Sequence, residues 1–145
     1  MKPTALYRTA ASVLLLFALG HTVGFLTLKP TTADAVAVRD SMDNVHFAIH
    51  GKTFTYGGFY RGFGLFVTVY LLFSAFLAWE LGTMSRRLNP EVSRALGAIR
   101  WAFAGVQLVT FALSWIYFAA APALLSAGVA ACLVWATVVV RRSSV

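Results

Sequence analysis

Four long apolar stretches, residues 10–28, 59–82, 101–120 and 123–140, alternate with shorter mixed segments along the chain. Few polar side chains break the first of them: Ser12, His21, Thr22 and Thr27. As a helix, residues 10–28 rise about 28 Å, near the thickness of a bilayer's hydrocarbon core. The pattern therefore predicts four transmembrane helices. Lys2 and Arg8 before the first stretch, and Ala33-Asp34-Ala35 after it, also have the outline of a cleavable leader. The apolar run exceeds the roughly 7–15 residues of a leader core, so a retained span is expected.

Lys29-Pro30 should end the first helix, because proline disfavours helix in the residue before it and cannot extend the ladder. Thr31 and Thr32 then offer an N-cap for a second helix over residues 33–50, with Gly51 as its C-cap. Val38, Met42, Val45 and Ile49 recur at helical spacing as an apolar stripe, and Arg39, Asp43, His46 and His50 repeat it one position later as a polar one. Such a helix lies in a membrane interface or across the mouth of a bundle. Gly57-Gly58 and Gly62-x-Gly64 lead into the second span. Asn89-Pro90 marks a turn before a short helix over residues 91–100, and Ala121-Pro122 a tight connection between the last two spans. Gly20-x-x-x-Gly24, Ser74-x-x-x-Ala78-x-x-x-Gly82 and Ala123-x-x-x-Ala127-x-x-x-Ala131 are expected helix-contact faces, and Gln107, Thr110, Ser114 and Tyr117 a polar stripe facing inward. The fold class expected is all-α: one integral-membrane domain over residues 1–145, a four-helix transmembrane bundle with an extracytoplasmic amphipathic interface helix between spans one and two.

Composition sharpens this. Of the 145 residues, 59% are hydrophobic and 12% charged, with mean hydropathy +0.76; soluble domains carry about 25% charged residues. A net charge of +7 would suggest nucleic acid in a soluble protein, but here the basic residues sit at segment ends, so no nucleic-acid partner is expected. With the N-terminus inside, Lys2, Arg8, Arg86, Arg87, Arg94, Arg100, Arg141 and Arg142 are cytoplasmic and Lys29, Arg39, Lys52 and Arg61 are not, eight against four. The positive-inside rule then predicts both termini in the cytoplasm. Tyr7, Trp79, Trp101 and Trp135 fall near the inner interface, and Tyr56, Tyr60, Trp115 and Tyr117 near the outer. The lone Cys132 lies in an apolar run and has no intrachain disulfide partner.

Candidate chemistry concentrates between the first two spans. His46 and His50, one helical turn apart, are candidate metal ligands; Asp43, one turn earlier, and His21, in the outer part of span one, are candidates to complete the set. Two or three histidines with a carboxylate suit Zn²⁺, Cu²⁺ or non-haem iron, and paired histidines also ligate haem. The alternative is that these histidines only pack or lie at the interface. Arg61, Tyr56 and Tyr60, with Gln107 and Tyr117 of the third span, are candidates to hold a lipid or small hydrophobic ligand. Glu80, the acid within a predicted span, is expected to pair with Arg8, Arg86 or Arg100. No phosphate-loop, serine-hydrolase or paired-acid motif occurs.

Gly20-His21, His46-Phe47, Gly51 and the run Phe59-Tyr60-x-Gly62-Phe63-Gly64-Leu65, followed by Trp79-Glu80, resemble a family of small four-span bacterial inner-membrane proteins without an assigned activity. The resemblance covers roughly residues 5–82. It implies a bacterial inner-membrane location and a four-helix fold, and brings no catalytic residues with it. The function expected is a non-enzymatic accessory or interaction subunit of a membrane complex, in contact with lipids and with another membrane protein or a second copy. The alternatives are a metal- or haem-binding protein and a lipid or small-hydrophobe binder.

Overall fold

A computed structural model of the chain describes residues 2–85, 92 and 95–142, with Arg142 described by its backbone alone. Among the described residues, five helices and a hairpin follow in order: α1 (Pro3–Thr27), α2 (Ala33–Asn44), β1 (His46–Ile49), β2 (Lys52–Thr55), α3 (Tyr56–Met84), α4 (Gly97–Tyr117) and α5 (Ala120–Arg142). The expected turn at Asn89-Pro90 and residues 91, 93 and 94 of the short helix expected over 91–100 lie outside the described residues; from Gly97 on, that stretch belongs to α4.

Four helices, α1, α3, α4 and α5, are long and apolar enough to cross a membrane. Their outward faces carry large apolar side chains: Leu16, Leu19, Phe66, Phe73, Phe76, Ile116, Leu124 and Trp135 are all more than half exposed. Patches on this scale are costly in water and ordinary against lipid tails. Two compact units divide the chain, one of residues 1–17 with 71–145, the other Ala18–Tyr70.

In the first unit, small and polar side chains hold the helices together. Gln107 Nε2 donates to Ser74 Oγ at 3.3 Å, joining α4 to α3, and the Ser114 and Ser126 hydroxyls meet at 3.4 Å between α4 and α5. Tyr7 and Thr137 hydroxyls meet at 3.4 Å between α1 and α5. A Cβ at Gly82 would stand 3.1 Å from Tyr7 Cβ, so α3 runs close beside α1. Together these contacts form a ring of neighbours, α1–α3–α4–α5. The start of α1 meets the ends of α3 and α5, as an up-down-up-down order requires. Ser74, Ala78 and Gly82 are all buried, as their spacing predicts. Without a hydrophobic force between helices in lipid, this close approach is what binds them.

Other expected faces differ. On α5 Ala123 is buried as expected, but the buried row continues through Ser126, Val129, Ala130, Leu133, Ala136 and Thr137, while Ala127 is half-buried and Ala131 exposed. Among the described residues, nothing lies within 4 Å of a Cβ at Gly20, and one at Gly24 would touch only Leu28 of its own segment. On α4, Gln107 and Ser114 are buried, but Tyr117 is 73% exposed at the helix end. The four positions share one helix face, but Tyr117 is the last residue of α4, and only Gln107 and Ser114 are buried in the interior. The last connection is Phe118-Ala119, not Ala121-Pro122. Pro122 sits in the first turn of α5, where its missing N–H has no intrahelical partner to lose.

In the second unit, α1 stops at Thr27 before Lys29-Pro30, and α2 starts on the Thr32 cap, whose Oγ1 accepts from Ala35 N at 3.3 Å. The helix expected to reach His50 ends at Asn44. Val45 has ψ 123°, and residues 46–55 form an antiparallel hairpin, with Phe47 opposite Phe54 and Ile49 opposite Lys52. His50 (φ 48°) and Gly51 (φ 78°) are its two-residue loop, so Gly51 is a turn residue, not a helix cap. Positive φ at both loop positions defines the type I′ turn that matches strand twist. Asn44 Nδ2 donates to Asp40 O at 2.8 Å, and β-branched residues follow it, which favours extended chain over another helical turn.

Candidate functional site

Chemistry-bearing side chains of the second unit gather where α1 ends, α2 packs and α3 begins. Thr55 starts α3 as its N-cap: Oγ1 accepts from Gly58 N at 3.0 Å, and Tyr56 N donates to Val45 O at 3.4 Å. The base of the hairpin is thereby tied to both helices. Gly57 follows because nothing larger fits. A Cβ there would collide with the Asp43 carboxylate and lie 3.3 Å from the Met42 carbonyl carbon. Gly64, two turns on, faces the Phe25 ring, into which a Cβ would also run.

Close approach at Gly57 puts Arg61 Nη1 2.8 Å from Asp43 Oδ1, and Arg39 Nε stands 4.0 Å from Asp43 Oδ2. Two guanidiniums thus share one carboxylate. Phe25, Leu26, Met42 and Tyr60 wall a crevice of about 70 Å³ beside them. Tyr60 is more than half exposed, its ring tilted on Phe25 at 5.4 Å. Tyr56 packs on Phe47 at 4.7 Å, and Phe47, Phe59, Phe63 and Phe66 continue as a row of edge-on rings. The structure thus brings Tyr56, Tyr60 and Arg61 into one unit, and describes Gln107 and Tyr117 in the other.

The histidines are placed differently from the helical reading. His21 Nε2 donates to Gly64 O at 3.0 Å, since a carbonyl only accepts, and its ring stacks on Phe25 with centroids 5.6 Å apart. His46 Nδ1 donates to Asn44 O at 2.7 Å, which leaves Nε2 as the acceptor nitrogen. One helical turn would put His46 and His50 backbones about 6 Å apart. Along a strand the same four residues span about 13 Å. Both are exposed, His46 at the open end of the hairpin and His50 in its loop. Asp43 faces arginines. Among the described residues, no three histidines, cysteines or acids gather as a metal set.

Alternation around Phe47 and Phe54, with a two-residue His-Gly break between, is the signal that locates the hairpin. Phe25, Leu26 and Met42 are residues that sequence reasoning did not place at the site; as apolar side chains in apolar runs they carry no local signal. No family model, curated protein or solved structure matches this chain. The site is therefore read from its own geometry.

The ion pair should add little stability by itself, because Arg61 and Asp43 side chains are 46% and 38% exposed. A double-mutant cycle over Asp43→Asn and Arg61→Gln is expected to give a coupling of about 0.2–1 kcal/mol that shrinks in high salt. Melting curves at two salt concentrations measure it. A larger, salt-independent coupling would mean that the pair is buried against something more than this chain.

Proposed function

We propose that this chain is an accessory, interaction subunit of a membrane complex, set in a bacterial inner membrane with both termini cytoplasmic and α2 and the hairpin on the extracytoplasmic side. The hairpin carries the reading. Among the described residues β1 and β2 pair only with each other, and most of their residues are exposed. A two-residue turn bonds Ile49 to Lys52, so the alternation of an antiparallel ladder turns the N–H and C=O of Ala48 and Thr53 outward. Each strand offers a free edge, and extended segments of partners add to such edges. Six buried polar side chains of the four-helix unit, in contrast, are engaged with one another in pairs: Gln107 with Ser74, Ser114 with Ser126, Tyr7 with Thr137. Internal pairing of this kind supports a scaffold reading for the spans, with recognition left to the hairpin.

A photo-crosslinking residue at His50, in the hairpin loop, in membranes solubilised with mild detergent, is expected to capture a stoichiometric membrane partner or a second copy. Thr53→Pro and Ala48→Pro, which remove an outward N–H from either edge, are expected to reduce capture at least tenfold without lowering the melting temperature. An uncrosslinked monomer, or capture by both proline variants equal to that of the unsubstituted chain, would overturn the reading.

A further inference from the structure

We infer that the crevice beside Arg39 and Arg61 seats the phosphate of an anionic phospholipid from the adjoining leaflet. Charge, size and position each bear on this. Arg61 and Arg39 flank Asp43 at 2.8 and 4.0 Å, so the cluster carries one positive charge beyond what the carboxylate neutralises. Arg61 gives Asp43 one hydrogen bond of the five a guanidinium can donate, and Arg39 lies beyond hydrogen-bond distance of it. Most of the donors of the two forks are thus left by Asp43 for a second anion, in the planar arrangement that suits phosphate oxygens. The first turn of α3, a helix of 29 residues, contributes Gly57 to the lining and adds the partial positive charge of a helix start.

Size selects the group. A crevice of about 70 Å³ has room for a few ordered waters or one small polar group, and not for the length of an acyl chain. Position selects the source. Phe25 and Leu26 close the last turn of one candidate span, and Tyr60 and Arg61 open another, so the crevice lies where spans meet the headgroup layer. Acyl chains continuing from the seated phosphate would run beside exposed Leu26 and Phe63, already among apolar side chains. A soluble phosphate would gain the charges and lose these contacts.

Native mass spectrometry of the full chain, exchanged from detergent into mixtures of phosphatidylglycerol and phosphatidylcholine, tests the inference. One retained phosphatidylglycerol is expected, at least fivefold over phosphatidylcholine. Arg39→Gln should cut that preference about fivefold, the usual worth of one basic residue near an anionic surface, and Arg39→Lys, which keeps the charge but not the fork, should cut it less. Lys52→Gln, on the hairpin and outside the crevice lining, should leave it unchanged. Equal retention of the two lipids overturns the inference. So does an Arg39→Gln effect no larger than that of Lys52→Gln. Displacement of the lipid by millimolar inorganic phosphate would assign the site to a soluble anion and overturn the lipid occupant.

Discussion

Ala78→Leu is expected to weaken the four-helix unit more than any substitution on its lipid-facing surface. Ala78 is 0% exposed. It lies midway along a row on α3 whose two ends are anchored: Ser74 accepts from Gln107 of α4, and Gly82 lies against Tyr7 and Thr4 of α1. Leucine would add three carbons in a layer where the helices approach without room for them. Overpacking a filled interior costs about 1–3 kcal/mol. Here the loss weighs more heavily, because lipid tails solvate an exposed leucine as well as a helix neighbour does and no hydrophobic force restores the contact. Unfolding of the purified protein by increasing fractions of a denaturing detergent measures the change. Phe76→Leu, at a side chain 61% exposed, is the control and should move the transition by less than about 0.5 kcal/mol. Equal transitions for the two variants would mean that the Ser74–Gly82 row is not a helix contact.

That row was readable in the sequence because its signal is periodic and lasts two turns, and the same holds for the four spans. What failed was short range. Val38, Met42, Val45 and Ile49 match a helical stripe, yet Val45 and Ile49 lie on the extended side of a boundary at Asn44. Four matches cannot separate a helix from a helix followed by a strand when apolar residues are frequent on both sides. The consequence fell on His46 and His50, whose supposed adjacency was a property of the helix and vanished with it. Arg61 and Tyr60 stood out in the sequence as a cation and a ring at the start of a span, and both line the crevice. Phe25, Leu26 and Met42 were not, since only the crossing of α1, α2 and α3 distinguishes them from other apolar residues. Glycine carried more information than the histidines: Gly57 and Gly64 each mark a point where a Cβ would meet another element.

Gly64→Ala is the second large effect, and its partner makes it separable from general destabilisation. The added Cβ would enter the Phe25 ring, the ring that stacks on His21 and tilts on Tyr60. Displacing Phe25 would disturb the hydrogen bond from His21 Nε2 to Gly64 O and, one turn below, the 2.9 Å contact of Thr22 with Thr68. Overpacking of about 1–3 kcal/mol is expected, with up to about 1.7 kcal/mol more if an interhelical bond is lost. Phe25→Ala also destabilises, by removing the ring, but it vacates the space that the methyl group added by Gly64→Ala would occupy. The two changes share one cause, so the double variant should be less destabilised than the sum of the singles by about 0.5–3 kcal/mol. Detergent-unfolding transitions of the four proteins give that coupling. Strict additivity would mean that α1 and α3 do not meet through Phe25 and Gly64, and the wall of the crevice that Phe25 forms would then have to be drawn elsewhere.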